Sequence, residues 1–428
     1  MRILKFSDKD FTKSLSALQR KSEPSPQVEK TVLEIITAIR RNGDAALLDY
    51  TEKFGGPKLD AGNLRVTAAE IQAARKQVDA ATKKAVSISR DNVRDFAKRS
   101  LRKNWSARNR QGAMVGERFD PFLRVGIYVP GGNAPLVSSA IMTVTLATTA
   151  GVPEIVVTTP ADKTGAVNPA LLYALDFCGA TEIYKAGGAQ AIAALAYGTE
   201  TIAPVLKIFG PGNAYVVEAK RQVFGRVAVD LLPGPSEILI IADASANPAW
   251  IAADLLAQAE HGHGGSVGFV TNSARILAGV EKEIARQLKT LSRRDYLAEV
   301  IDRETYLVLV KSMKDAVVIA NDFAPEHLSL VAKNDADLVG QIRTSGAIFL
   351  GGWSPVAAGD FVAGPSHELP TGGAGKSFPG LTVDQFQRRT SVVRLDEKSL
   401  KKSLPVIQQF SKIEGLDAHG RSAEIRFE

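Results

Sequence analysis

The sequence predicts an α/β protein with two similar halves, each built on a parallel sheet, an N-terminal helical region and a small C-terminal helical tail. From about residue 123, the short apolar runs RVGIYV, EIVVTT, EIYKAG and LKIFG alternate with helical stretches and end in Gly-rich or Pro-rich turns. That rhythm belongs to βαβ units. A second series, EILIIAD, SVGFVT, YLVLV, HLSLV and GAIFLG, follows a break near residues 232–237 (LPGPSE).

Residues 1–105 read as helices. Ser25-Pro26 opens an apolar-periodic run through Ile35, Ile36 and Ile39, and Asn42-Gly43 is a stop signal. Thr67 and Glu70 have the spacing of a capping box at the head of a longer helix. The region holds no catalytic cluster, so its expected work is packing or dimerisation. The first α/β half is assigned to 106–235, the second to 236–380 and the tail to 381–428. Residues 363–382, rich in Gly, Pro, Ser and Thr, read as a loop over a site or a crossing linker. In the tail, Leu400, Leu404, Ile407, Phe410 and Ile413 form one helical stripe.

At 428 residues and 45% hydrophobic, the chain is long enough to bury the cores of two or more domains. Charges interrupt every apolar run of MRILKFSDKDF, so no signal peptide is expected, and no stretch reaches transmembrane length. Cys178 is the only cysteine, which excludes an intramolecular disulfide and a cysteine-cluster metal site and suits a reducing cytoplasm. The net charge of +7 is spread along the chain without a basic tract interleaved with aromatics. It reads as a solvated surface and not as a nucleic-acid interface. The five histidines, His261, His263, His327, His367 and His419, become the main candidates for chemistry.

Two glycine loops follow predicted strands, Pro130-Gly131-Gly132-Asn133-Ala134-Pro135 and Gly210-Pro211-Gly212-Asn213-Ala214-Tyr215. Glycine permits close backbone approach to a ligand, and a following helix N-terminus favours an anionic group. Neither loop matches G-x-G-x-x-G, and each taken alone is more often just a tight turn. GGAGKS at 372–377 ends like a P-loop, but Pro370 stands where its first glycine is required, which rejects nucleoside triphosphate hydrolysis.

Gln258 and His261, three apart in LAQAEH, would share one helix face, where an amide oxygen and an imidazole could ligate a metal. A helical His is as readily structural. Asp360 and His367 bracket a Gly-rich loop, and Glu414 and His419 lie near the end of the chain. These residues are nitrogen and oxygen donors of the kind found in open zinc sites, although spacing alone does not assemble them. Glu326-His327, between a helix and a strand, suits proton abstraction from an alcohol and activation of water, or else is a loop salt bridge beside a partly buried His. Cys178, at an apolar helix end, reads as a core residue and not as a nucleophile.

Read in order, RVGIYVPGGNAPL, YKAGGAQAIAALAYGT, KIFGPGNAYVVEAKRQV, GPSEILIIAD, DLLAQAEHG, NDFAPEHL, GDFVAGPSHELPT and EGLDAHGRSAEIR resemble the histidinol dehydrogenase family over essentially the whole chain. Any one phrase is weak, and the ordered set is highly specific. The resemblance implies a homodimer with two incomplete Rossmann-like domains per subunit and smaller domains that exchange contacts between subunits, and oxidation of L-histidinol through the aldehyde to L-histidine with NAD and one zinc per subunit. It implies NAD contacts at Tyr128, Gln190 and Asn213, and zinc ligation by Gln258, His261, Asp360 and His419. Substrate contacts fall at Ser236, Gln258, His261, His327, Asp360, His367, Glu414 and His419, with Glu326 and His327 as the catalytic acid-base pair. Pro233 and Ser366 depart from the family phrases, and His263 lies in a variable turn, without removing a ligand or a base.

Two other readings follow from the same residues. One is a paralogue acting on another small polar alcohol such as a sulfonated diol, against which a carboxylate at Glu414 argues by charge. The other is a non-catalytic zinc-stabilised binding protein, which would have no use for Glu326, His327 and both glycine loops.

Overall fold

The structure, a computed structural model, describes residues 1–16, 18, 25–131 and 135–428. Gly132, Asn133 and Ala134 of the first glycine loop therefore lie outside the described residues. All nine apolar runs form strands. The first sheet is parallel and five-stranded, in the order Glu182–Tyr184, Glu154–Thr158, Arg124–Tyr128, Lys207–Phe209, Ala228–Val229. The second is parallel and six-stranded: Arg2–Lys5, Thr305–Leu309, Ser266–Thr271, Glu237–Ala242, His327–Val331, Ala347–Leu350.

In both halves the first strand is central, and the chain reverses its direction of travel between that strand and the fourth. At the carboxyl ends of the first sheet this reversal makes a crevice, the usual place for a ligand in a doubly wound sheet. The reason these strands pair in parallel is visible in their burial: every residue of Glu237–Ala242, Ser266–Thr271 and His327–Val331 is buried. A strand covered on both faces by helices needs a continuous apolar run and not an alternating one. The helices Val137–Ala150 and Gly188–Tyr197 are apolar nearly all round and fill the space between the first sheet and its outer helices.

Two expectations need correction. Residues 1–105 are not wholly helical, because Arg2–Lys5 adds an edge strand to the second sheet beside Thr305–Leu309. A short edge strand with charges at both ends carries almost no apolar signal. The 381–428 tail is not wholly helical either: Gln387–Arg394 pairs antiparallel with Met114–Pro121, which also pairs with Trp105–Arg108. Asn42-Gly43 does stop the first helix as expected: within Pro26–Lys53 the backbone leaves the helical region at Gly43, at φ 51° and ψ −129°, and the Glu200 carboxylate accepts the Asp44 N–H at 2.7 Å to start a second helix. The Thr67–Glu70 capping box is present as expected. Among the described residues no helix is long and apolar enough to cross a membrane.

Candidate active site

The carboxyl end of the first sheet faces the amino end of the second across the chain connection at 230–237. Tyr128 ends the central strand of the first sheet, Gln190 lies in the first turn of Gly188–Tyr197, and Asn213 caps Ala214–Val223. All three line one cavity of about 410 Å³ with Gly187, Gly188 and Tyr215. The Gly188 N–H donates to the Tyr128 hydroxyl at 3.2 Å, and Asn213 Oδ1 accepts from the N–H groups of Tyr215 and Val216. Gln190 is 3% exposed, and its Oε1 has no hydrogen-bond partner among the described residues. A buried amide oxygen left this way is costly unless a ligand completes it. Two helix N-termini open into the same cavity, a setting that favours an anion.

The second cluster grows from the amino ends of adjacent strands. His327, the first residue of its strand, pairs in register with Ile238 and Ala347 and is 3% exposed. Its Nδ1 lies 3.0 Å from the Glu237 carbonyl. A carbonyl only accepts, so Nδ1 carries the proton and Nε2 presents a lone pair. Nε2 has no hydrogen-bond partner among the described residues and lies 3.8 Å from Asp360 Oδ1. Burial lowers the His327 pKa below the ordinary imidazole value, against the pull of Asp360 and of the Glu237 carbonyl, so the ring is a neutral base near pH 7.

Glu326 stands on the other side of that ring, 3.5 Å from Nδ1. Its Oε2 accepts from Ser236 Oγ at 2.6 Å and from the Glu237 N–H at 2.7 Å. Gln258 Nε2 in turn donates to Ser236 Oγ at 2.8 Å. This chain fixes the Gln258 amide with its nitrogen towards Ser236, so the oxygen is the atom left for a metal. His261 follows one turn later and lines a second cavity of about 250 Å³ with Pro211, Gly212, Asn213 and Ser236. Desolvation lowers its pKa below the ordinary imidazole value, and the neighbouring His327 lowers it further.

Asp360, on the short helix Val356–Phe361, and His367 line a cavity of about 430 Å³ with His327, Phe349 and Trp353. His367 Nδ1 donates to the Asp360 carbonyl at 3.0 Å, which leaves Nε2 to accept from Ser139 Oγ at 3.2 Å. Burial pushes its pKa down to about 4, so it too is neutral. Sequence reasoning missed Ser139 and the Glu237 carbonyl. A helix serine and a backbone oxygen carry no motif.

Glu414 and His419 stay apart from this cluster. Both are exposed, on the tail helices Glu397–Glu414 and Asp417–Glu424, which pack on one another. Among the described residues no group of three or more His, Cys, Asp or Glu side chains assembles as a metal site within one chain. Gln258, His261 and Asp360 are nevertheless chemically suited to a divalent ion, offering an amide oxygen, an imidazole and a carboxylate. His263 sits outside the site, exposed, with Nε2 3.9 Å from Glu299 and its ring edge-on to Tyr296. Cys178 is buried in the core of the first half, and desolvation pushes its thiol up to about 11.

The histidinol dehydrogenase family model matches residues 18–427. The histidinol dehydrogenase of Geobacillus kaustophilus is 45% identical over 413 residues, covering 96% of this chain and 97% of the relative. That of Syntrophotalea carbinolica is 44% identical over 427 residues, covering 100% and 99%. The crystal structure of histidinol dehydrogenase from Elizabethkingia anophelis superposes with a TM-score of 0.95 at 34% identity, covering 100% of this chain and 98% of that one. A family match over nearly the whole length, joined to this fold, leaves one conclusion: the chain belongs to the histidinol dehydrogenase family.

Proposed function

We propose that this enzyme oxidises L-histidinol through L-histidinaldehyde to L-histidine, the last steps of histidine biosynthesis, with NAD in the Tyr128–Gln190–Asn213 cavity and one divalent ion, zinc by its donor set, at Gln258, His261 and Asp360. The observation that carries the reading is the tautomer of His327: a buried, neutral imidazole whose Nδ1 is committed to the Glu237 carbonyl and whose Nε2 lone pair faces Asp360. Bound NAD supplies the hydride acceptor, and the bound ion supplies a Lewis acid that orients an imidazole-bearing substrate.

The chain's own residues do the remaining work. Nε2 of His327 takes the hydroxyl proton of the alcohol in the first oxidation. Glu326, held by Ser236 and the Glu237 N–H, takes a proton from the water that adds to the aldehyde. His367, neutral and fixed by Ser139 and the Asp360 carbonyl, borders the substrate. Tyr128, Gln190 and Asn213 orient the cofactor, whose pyrophosphate suits the helix N-termini there. His419 supplies the fourth metal ligand and Glu414 a carboxylate facing a cationic substrate, both from the partner subunit of a homodimer. The reducing cytoplasm, which a lone unpaired thiol suits, is the proposed location.

The defining experiment follows NADH formation with L-histidinol before and after chelation. Two NADH per substrate and loss of activity on chelation, restored by zinc, are expected. One NADH per substrate would mean a simple alcohol dehydrogenase, and activity indifferent to a strong chelator would remove the metal from the reading.

Water attack makes the thiol dispensable. Cys178→Ala should keep both oxidations at wild-type rates, with a modest stability loss from the smaller buried side chain. Loss of aldehyde oxidation in a folded variant would demand a covalent thiohemiacetal route, which a thiol held near 11 and buried in the core does not favour.

A further inference from the structure

The chemistry above leaves one fully buried ion pair without a role. Lys220, on Ala214–Val223, bonds directly to Asp230, just beyond the Ala228–Val229 strand, and their side chains are 0% and 2% exposed. Desolvating two charges offsets much of their attraction, so such a pair is a poor source of net stability. What else the two groups hold is therefore the informative fact.

They hold the two ends of one residue. Lys220 Nζ donates to the Gly210 carbonyl at 2.9 Å, and Asp230 Oδ2 accepts from the Gly210 N–H at 2.7 Å. Gly210 has φ +109° and passes so close to Tyr128 that a Cβ would overlap the Tyr128 carbonyl oxygen. From this clamped residue the chain runs through Pro211 and Gly212 to Asn213, which lines the cavity of Tyr128 and Gln190 and also the cavity of Ser236 and His261. The loop thus forms the seam between the two cavities. Glu368, next to His367, is buried near the pair, and its carboxyl is pushed well above the usual range by burial first and by Asp230 second.

We propose that the Lys220–Asp230 pair is a positioning device for the cofactor loop: by clamping Gly210 at both its N–H and its carbonyl it fixes Asn213 at the seam that a dinucleotide must cross to reach the substrate. Neither residue lines either cavity. The inference rests on the NAD reading of the Tyr128–Gln190–Asn213 cavity.

Asp230→Asn tests it, because the amide oxygen can still accept the Gly210 N–H while the charge that holds Lys220 is gone. The KM for NAD and the Kd for NADH, followed by its fluorescence, should rise by about tenfold or more, which corresponds to losing one charge-assisted contact. The KM for L-histidinol should stay within about twofold, since Ser236, Gln258 and Glu326 are bonded independently of the loop. Lys220→Met/Asp230→Asn removes both charges and should show the same split if the single variant does not fold. A fall in Tm with both KM values unchanged, or an equal rise in both, overturns the proposal. So does failure of both variants to fold, which would make the pair a determinant of the fold. Gln190→Ala separates the two claims. If it leaves the KM for NAD at the wild-type value, the cofactor reading fails; if it weakens NAD and Asp230→Asn does not, only the positioning claim fails.

Discussion

His327→Asn should slow oxidation of L-histidinol by about 100-fold to 10,000-fold, the usual range for loss of a general base, while a supplied aldehyde is oxidised with a much smaller loss. Asparagine keeps a donor for the Glu237 carbonyl, which matters because an unpaired buried carbonyl costs about 1–3 kcal/mol and would confuse a catalytic loss with a structural one. It offers no basic nitrogen in place of Nε2. Glu326→Gln should fail at the opposite step. Its amide oxygen can still accept from Ser236 and from the Glu237 N–H, so the site keeps its shape and loses the carboxylate that takes a proton from water. The expected signature is a first hydride transfer near the wild-type rate in a single turnover, followed by slow oxidation of supplied histidinaldehyde. Oxidation of that aldehyde by Glu326→Gln at the normal rate would remove water activation from Glu326. Equal losses in both steps for both variants would mean that the pair acts as one unit, and the division of labour would fall.

How much of this was legible in the sequence depended on whether a feature is local. Runs such as EILIIA were legible because a parallel strand covered on both faces writes its burial as consecutive apolar residues. The Gln387–Arg394 ribbon, QRRTSVVR, is mostly exposed, and its partner Met114–Pro121 lies far away in the chain, so neither composition nor spacing reveals it. In the same way the Glu326-His327 dipeptide announces an acid beside a base. The group that decides which nitrogen is basic is a backbone carbonyl 90 positions away, which no motif encodes. Lys220 and Arg221 are neighbouring basic residues in the last turn of Ala214–Val223. Only the tertiary structure separates them, burying Lys220 completely against Asp230 and leaving Arg221 half exposed beside Glu29.

Mixing two inactive variants should restore activity if the tail completes the partner's site. Of the apolar stripe predicted on the tail, Leu400, Leu404 and Ile407 are half-buried, but Phe410 and Ile413 are 57% and 67% exposed, and Val406 beside them is 50% exposed. A second set is exposed near His327 and Asp360: Trp353, which lines their cavity and is 87% exposed, and Phe361 and Val362, next to Asp360 in the chain. Burying a large apolar side chain contributes about 1.5–3 kcal/mol, and two-fold symmetry counts every residue twice. That sum is comparable to or larger than the roughly 4–15 kcal/mol lost in association, so covering each patch with the other, across a dimer, is favourable. His419 would then arrive beside Gln258, His261 and Asp360, and Glu414 beside the substrate. Asp360→Ala and His419→Ala should each abolish activity alone. In a mixed dimer one site collects both lesions and the other has neither, so each heterodimer should recover up to about half of wild-type activity, as an isologous two-fold arrangement requires. Mass spectrometry of differently tagged chains verifies the exchange. If heterodimers form and remain inactive, each site is built within one chain, and His419 must reach Asp360 by a rearrangement of its own tail.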